Sequence, residues 1–147
     1  MRVTFEQVNC GDQLPEVKRE IIQDKIDRNA AASLDFNPVH ISSEWCRAVK
    51  HTFPRFFTDS PVAHGMHTMS FLATVITNWC YPDGWIKYME SKFTRPVKPG
   101  DILTCGGLVT EKHSLGERRN FVTVELYADN QRGERIMVGS AKVDLPD

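Results

Sequence analysis

Helical and strand-like patterns of apolar residues divide this chain into two parts. In the first, Ile26, Ala30 and Ser33 fall at helical spacing, and Gln23 or Asp24 stands where a cap belongs. Asp24 also suits the positive end of a helix dipole, so a helix is expected to about residue 33. A second short helix is expected over 42–50, with Ser42 or Ser43 as cap and Glu44 in its first turn. Short strands are expected over 3–8 and 18–22, with Asn9-Cys10-Gly11-Asp12 as a turn between them. Phe53-Pro54-Arg55-Phe56-Phe57 is broken by proline and reads as irregular.

The stretch 60–82 contains no Asp, Glu, Lys or Arg. Residues 66–79 have helical length, with Met66, Met69, Leu72, Ala73 and Ile76 on one side and uncharged residues on the other. A helix without a charged face is buried on nearly all sides or lies in a membrane. Its length, its histidines and its Thr/Ser content argue against a membrane span. The chain beyond residue 82 supplies a wrapper: strands are expected over 85–95, 101–111, 119–129 and 135–144, where β-branched and aromatic residues concentrate. Lys98-Pro99-Gly100-Asp101, Ser114-Leu115-Gly116-Glu117 and Asn130-Gln131-Arg132-Gly133 read as turns. Antiparallel strands curling around one buried helix make an α+β arrangement, and residues 1–147 read as a single domain.

Charge removes several functions from consideration. The net charge is −1 and the basic residues are dispersed, so no nucleic-acid surface is indicated. Cys10, Cys46, Cys80 and Cys105 are widely spaced without a CxxC, which argues against a zinc site or a disulfide framework. Arg2, Glu6, Asp12 and Glu16 interrupt any apolar start, so a cytoplasmic protein with free thiols is expected.

The chemistry concentrates in Asp35-Phe36-Asn37-Pro38-Val39-His40. Asn-Pro marks a turn, because proline fixes its own φ and drives the preceding residue out of the helical region. Such a stiff loop can hold Asp35 and His40 around one water, the minimum for general acid–base chemistry. Taken alone, the segment also describes a capped turn with a polar residue beside it.

Residues 31–40, with Pro61-Val62-Ala63-His64-Gly65-Met66 downstream, resemble the hydratase motif of the MaoC-like, (R)-specific enoyl-CoA hydratases. Residues 93–101 resemble the strand and turn after that family's central helix. The resemblance implies a hotdog fold, a coenzyme A thioester as substrate and no separate cofactor. It also implies that Asp35 and His40 are the catalytic pair, with Asn37 shaping their loop or touching substrate. Gly65, where the buried helix begins, would offer its backbone N–H to the thioester oxyanion.

Around that pair, His64 is expected to orient the loop or bond backbone near the substrate. His64 and His67 lack a carboxylate at matching spacing, so no metal is expected. Lys92, Arg95 and Lys98 are candidates for the coenzyme A phosphates, against the plainer reading of a solvated strand face. Trp45, Phe53, Phe56 and Phe57 would wall an acyl pocket between the buried helix and residues 45–57, either accommodating a ring or bulky acyl group or plugging a short pocket. Two departures from the family pattern stand out: Leu34 replaces a small residue before the Asp, and Ala73 replaces a serine. The resemblance further implies a homodimer or a dimer of dimers, with a heteromer possible. The alternatives are a partner-dependent acyl-CoA-binding subunit and, with less support, a hotdog thioesterase, which would need a carboxylate near the uncharged helix.

Overall fold

The computed structural model describes residues 3–55, 57–114, 116 and 120–147. Four helices precede or interrupt the strands: α1 (Gln23–Ser33), α2 (Pro38–Ile41), α3 (Ser43–Thr52) and α4 (Gly65–Cys80). The strands are β1 (Gln13–Glu20), β2 (Trp85–Phe93), β3 (Ile102–Ser114), β4 (Asn120–Asp129) and β5 (Arg135–Asp144). They form one antiparallel sheet in the order β1-β3-β4-β5-β2. Helix α4 touches both edge strands as well as β3 and β4, so the sheet must curl around it. This is the hotdog arrangement, α+β in class.

Strand alternation explains the core. Val122, Val124, Leu126 and Ala128 of β4 face Val143, Ala141, Gly139 and Met137 of β5 in register, all on the helix side. Leu72, Val75 and Ile76 of α4 close that layer with essentially no exposed surface. A Cβ on Gly139 would lie 3.5 Å from Leu72 and 2.5 Å from the Glu90 carbonyl, so glycine lets the neighbouring strand and the helix approach together.

Several expectations need correction. Residues 3–8 form turns rather than a strand. Val8 is buried and Val3 and Phe5 pack on the core, so their apolar character plugs one end of the sheet without joining its ladder. The strand expected over 18–22 runs instead over Gln13–Glu20, and the cap of α1 is Ile22, with no side-chain cap bond. Ser33 is exposed, although Ile26 and Ala30 are buried as expected. The loop after Asn37 contains a single helical turn, α2, with Pro38 at its start. Helix α3 is capped by the Ser42 side chain, which accepts from the Trp45 N–H. The turn expected at 114–117 lies partly outside the described residues.

Helix α4 buries only one face within a single chain. Thr68, Phe71, Leu72, Val75, Ile76 and Cys80 are inside, whereas Met66 is 75% exposed and Ser70, Thr77 and Asn78 face outward. The uncharged side is therefore uncovered by this chain. Among the described residues no helix is long and apolar enough to cross a membrane. All four cysteines are unpaired, and Cys46, Cys80 and Cys105 are buried. Burial pushes the Cys105 thiol up to about 11.

Candidate active site

Two segments distant in sequence are stitched together at the start of α4. The first leaves α1 through Leu34, which takes a left-handed backbone (φ 59°) as the helix C-cap. Asp35 comes next, its N–H donating to the Ala30 carbonyl at 3.1 Å. The Asn37 side chain accepts from the Val39 N–H at 3.2 Å and starts α2, which presents His40 in its last turn. The second segment is 61–65, anchored to the sheet end by Ala63 N–H donating to the Val97 carbonyl at 2.8 Å. The two are tied by the Val62 N–H donating to the Val39 carbonyl at 3.1 Å, and by His40 Nδ1 at 2.7 Å from the Val62 carbonyl.

That last bond fixes the tautomer of a neutral His40. A carbonyl only accepts, so Nδ1 carries the proton and the neutral ring presents a bare Nε2. Nε2 faces Asp35 Oδ2 at 3.7 Å. Two acceptors at that separation leave room for a donor of two protons, and a water fits that description. The His64 ring stacks on His40, with centroids 3.8 Å apart. Its Nε2 donates to the Asp35 carbonyl at 3.1 Å and lies 3.8 Å from Asp35 Oδ2. Exposure falls across the trio: the side chains of Asp35, His40 and His64 are 51%, 14% and 5% exposed.

Gly65 is the first residue of α4, and its N–H finds no acceptor among the described residues. Unpaired N–H groups at a helix start carry partial positive charge. A Cβ on Gly65 would lie 3.1 Å from the Phe93 ring, so the glycine keeps the approach to that N–H open. A cavity of about 320 Å³ opens there, lined by Val62, Gly65, Thr68, Phe93, Arg95 and Val97, among others.

The remaining candidates divide. Arg95 reaches this cavity, 3.8 Å from Glu134. Lys98 pairs with Asp59 at 3.7 Å. Lys92 lies on a separate groove of about 690 Å³ over the sheet, beside Glu90, Glu125 and Arg135. Trp45 and Phe57 meet edge to face, centroids 5.8 Å apart, and neither lines the cavity at Gly65; Phe53 is exposed and Phe56 lies outside the described residues. Sequence reasoning missed two contributors. The Val62 carbonyl sets the His40 tautomer, and Phe93 walls the cavity. Both fall inside the motif segments, but a backbone acceptor leaves no trace in residue type. His67 turns away from the site, edge-on to Phe71 at 5.0 Å, and burial holds its pKa below the ordinary value.

Residues 6–131 match the MaoC like domain. The chain belongs to the MaoC-like domain family. Its fold is shared with the unliganded (R)-hydratase PhaJ1 of Pseudomonas aeruginosa, at 25% identity and a TM-score of 0.85, over 99% of this chain and 87% of that one. It is shared also with an (R)-hydratase of A. caviae involved in PHA biosynthesis, at 23% identity and 0.80, over 96% and 99% of the two chains. The ChsH1-ChsH2 complex of Mycobacterium tuberculosis includes a chain similar at 20% identity and 0.75, over 95% of this chain and 99% of that one. No curated protein matches the sequence significantly. This MaoC-like chain thus has the fold of hydratases, which supports enoyl-CoA hydration in general terms.

Proposed function

We propose that this protein adds water to a 2-enoyl-CoA thioester to give the (R)-3-hydroxyacyl-CoA, and catalyses the reverse dehydration. The observation that carries this reading is the facing of Asp35 Oδ2 and His40 Nε2 at 3.7 Å, with His40 Nδ1 already committed to Val62. A water donating one proton to each acceptor has a lone pair free for C3. As its oxygen bonds C3, one O–H breaks and the proton passes to the pair. The C2=C3 electrons move toward the thioester carbonyl, and the oxyanion accepts from the Gly65 N–H. Collapse of the enolate takes a proton at C2 from the pair, so water is added without net proton change. Asn37 holds the loop, and His64 holds the Asp35 backbone and the His40 ring from the buried side.

The cavity at Gly65 suits the thioester and the arm beyond it, with Arg95 as its cation for coenzyme A phosphate. No separate cofactor enters the reaction. The unpaired thiols suit a reducing cytoplasm.

A partner is part of the proposal. Edge strand β1 carries Pro15, which removes a backbone donor and discourages pairing. Edge strand β2 has no proline and displays Trp85, Tyr88 and Phe93. Together with the uncovered side of α4, β2 marks the surface for a second hotdog chain, in a homodimer or a dimer of dimers.

The test tracks loss of enoyl-thioester absorbance on purified protein, from crotonyl-CoA to medium-chain and aryl enoyl-CoAs, with Asp35→Asn and His40→Gln in parallel and free coenzyme A monitored. Turnover lost in both variants, with unchanged circular dichroism, upholds the reading. Release of coenzyme A without hydration replaces it with a thioesterase. Silence on every substrate replaces it with a partner-dependent subunit, the reading that the uncovered α4 face favours second.

A further inference from the structure

Gln23 opens α1, whose cap is Ile22, and its side chain reaches away from that helix start. The amide nitrogen donates to Asp27 Oδ1 at 2.8 Å, one turn on, and to the backbone carbonyl of His40 at 2.9 Å. A carboxylate and a carbonyl only accept, so the nitrogen and not the oxygen of the amide must face them.

The His40 carbonyl needs such a donor. Helix α2 is one turn long, and a helix that short leaves its carbonyls without partners of its own. Each is taken by a different part of the chain. The Pro38 carbonyl accepts from the Ser42 N–H at 2.9 Å, and the Val39 carbonyl from the Val62 N–H at 3.1 Å. The His40 carbonyl meets no backbone donor among the described residues and accepts from Gln23.

That bond ties His40 to the helix from which Asp35 emerges. Ile26 and Ala30 lock α1 into the core. Asp35 is held just beyond its last turn by the Ala30 carbonyl, and His40 is held by its first residue. Both members of the facing pair are thus referred to one rigid body, and their 3.7 Å separation depends on both of its ends. With the carbonyl released, the bonds left on His40 would be its N–H to Asn37 and its Nδ1 to Val62.

We propose that Gln23 is a positioning residue of the candidate site: its amide holds the His40 carbonyl and so sets the alignment of His40 Nε2 with Asp35 Oδ2. The kinetic consequence rests on the hydratase reading; the alignment does not. Gln23 does not line the cavity at Gly65, so losing its donor should spare thioester binding and slow the step at the pair.

Three variants of the full-length protein separate donor from shape and charge. Gln23→Glu keeps the shape and replaces the donor with an acceptor. Gln23→Met removes the donor without adding charge. Gln23→Lys offers an ammonium to the same two acceptors. On crotonyl-CoA, kcat should fall about tenfold in Gln23→Glu and Gln23→Met, with KM within about twofold of the parent and the urea midpoint unchanged. Gln23→Lys should recover most of that loss. If Gln23→Glu unfolds beside Asp27, Gln23→Met carries the test. Alignment is read without substrate, by long-range proton–nitrogen correlation NMR of the histidine rings, with the His40 signals identified by their loss in His40→Gln. The parent should show the Nδ1–H tautomer, and Gln23→Met should shift the ring nitrogens toward the average of the two tautomers. Unmoved His40 signals in Gln23→Met, a kcat equal to that of the parent, no recovery in Gln23→Lys, or a loss matched by a lower urea midpoint would overturn the role. A parent inactive on every substrate whose His40 signals still move in Gln23→Met refutes the hydratase reading alone; an active parent with unmoved signals refutes this inference alone.

Discussion

The candidate site has a buried half and an open half, built by different means. Val62, His64 and Gly65 are held by the sheet end, by the start of α4 and by stacking on His40, and His64 is almost wholly inside. Asp35 and Asn37 sit on an exposed turn held mostly by short-range bonds. The difference stems from the cost of charge. A carboxylate buried without a partner pays heavily for its charge; the proposed reaction asks Asp35 to carry charge, and its side chain is left half in water. Neutral imidazoles tolerate burial, and burial fixes their geometry. The charge thus comes from the open half and the precision from the buried half.

Mutations can pull these halves apart. The largest effect is expected in the open half on activity alone: Asp35→Asn should lower kcat by about 10²–10⁴-fold while leaving the urea midpoint nearly unchanged. His64→Ala should do the opposite in kind. It empties a buried site and removes the bond to the Asp35 carbonyl, so unfolding free energy should fall by about 2–3 kcal/mol, read by urea titration. Equal stability of the two variants would erase the distinction. Gly65→Ala probes the seam between the halves. Its methyl meets Phe93, a half-exposed ring, and kcat/KM should fall by about tenfold with part of the loss recovered in Gly65→Ala/Phe93→Ala.

The smallest effect concerns His67, half-buried on the same helix but outside the trio. Burial, assisted by His64 and Lys25, holds its folded pKa below the ordinary 6.5. The unfolded chain therefore binds the proton more readily, and His67 withdraws stability as pH falls through 6.5. His67→Phe should flatten the fall in denaturation midpoint between about pH 7 and about pH 5.5. A slope as steep as in the parent would show that other groups control it.

Much of this architecture is legible in residue order, and the exceptions have physical causes. Strands β2 to β5 and helices α1, α3 and α4 announce themselves because one face of each must be apolar. Residues 3–8 mislead because a plug at a sheet end needs the same side chains as a strand but no ladder. Met66 misleads because helical spacing cannot say which of two uncharged faces the sheet covers. In the site, Asp35 and His40 are readable from the Asn-Pro turn that joins them. The stacking of His64 on His40 is not, since it depends on Ala63 and Val62 meeting Val97 and Val39 through backbone bonds. The cavity at Gly65 escapes for a similar reason: its wall comes from Phe93 and Arg95, beyond the whole length of α4.

The open edge of the sheet also has a practical use. Trp85 begins β2 and is 69% exposed, while Trp45 and Trp79 are partly buried. A neighbour that seats against this edge would desolvate the Trp85 indole, and the protein would signal the event by a blue shift of its own fluorescence. Dilution series need no dye or tag, and Trp85→Phe would identify the strand from which the signal comes.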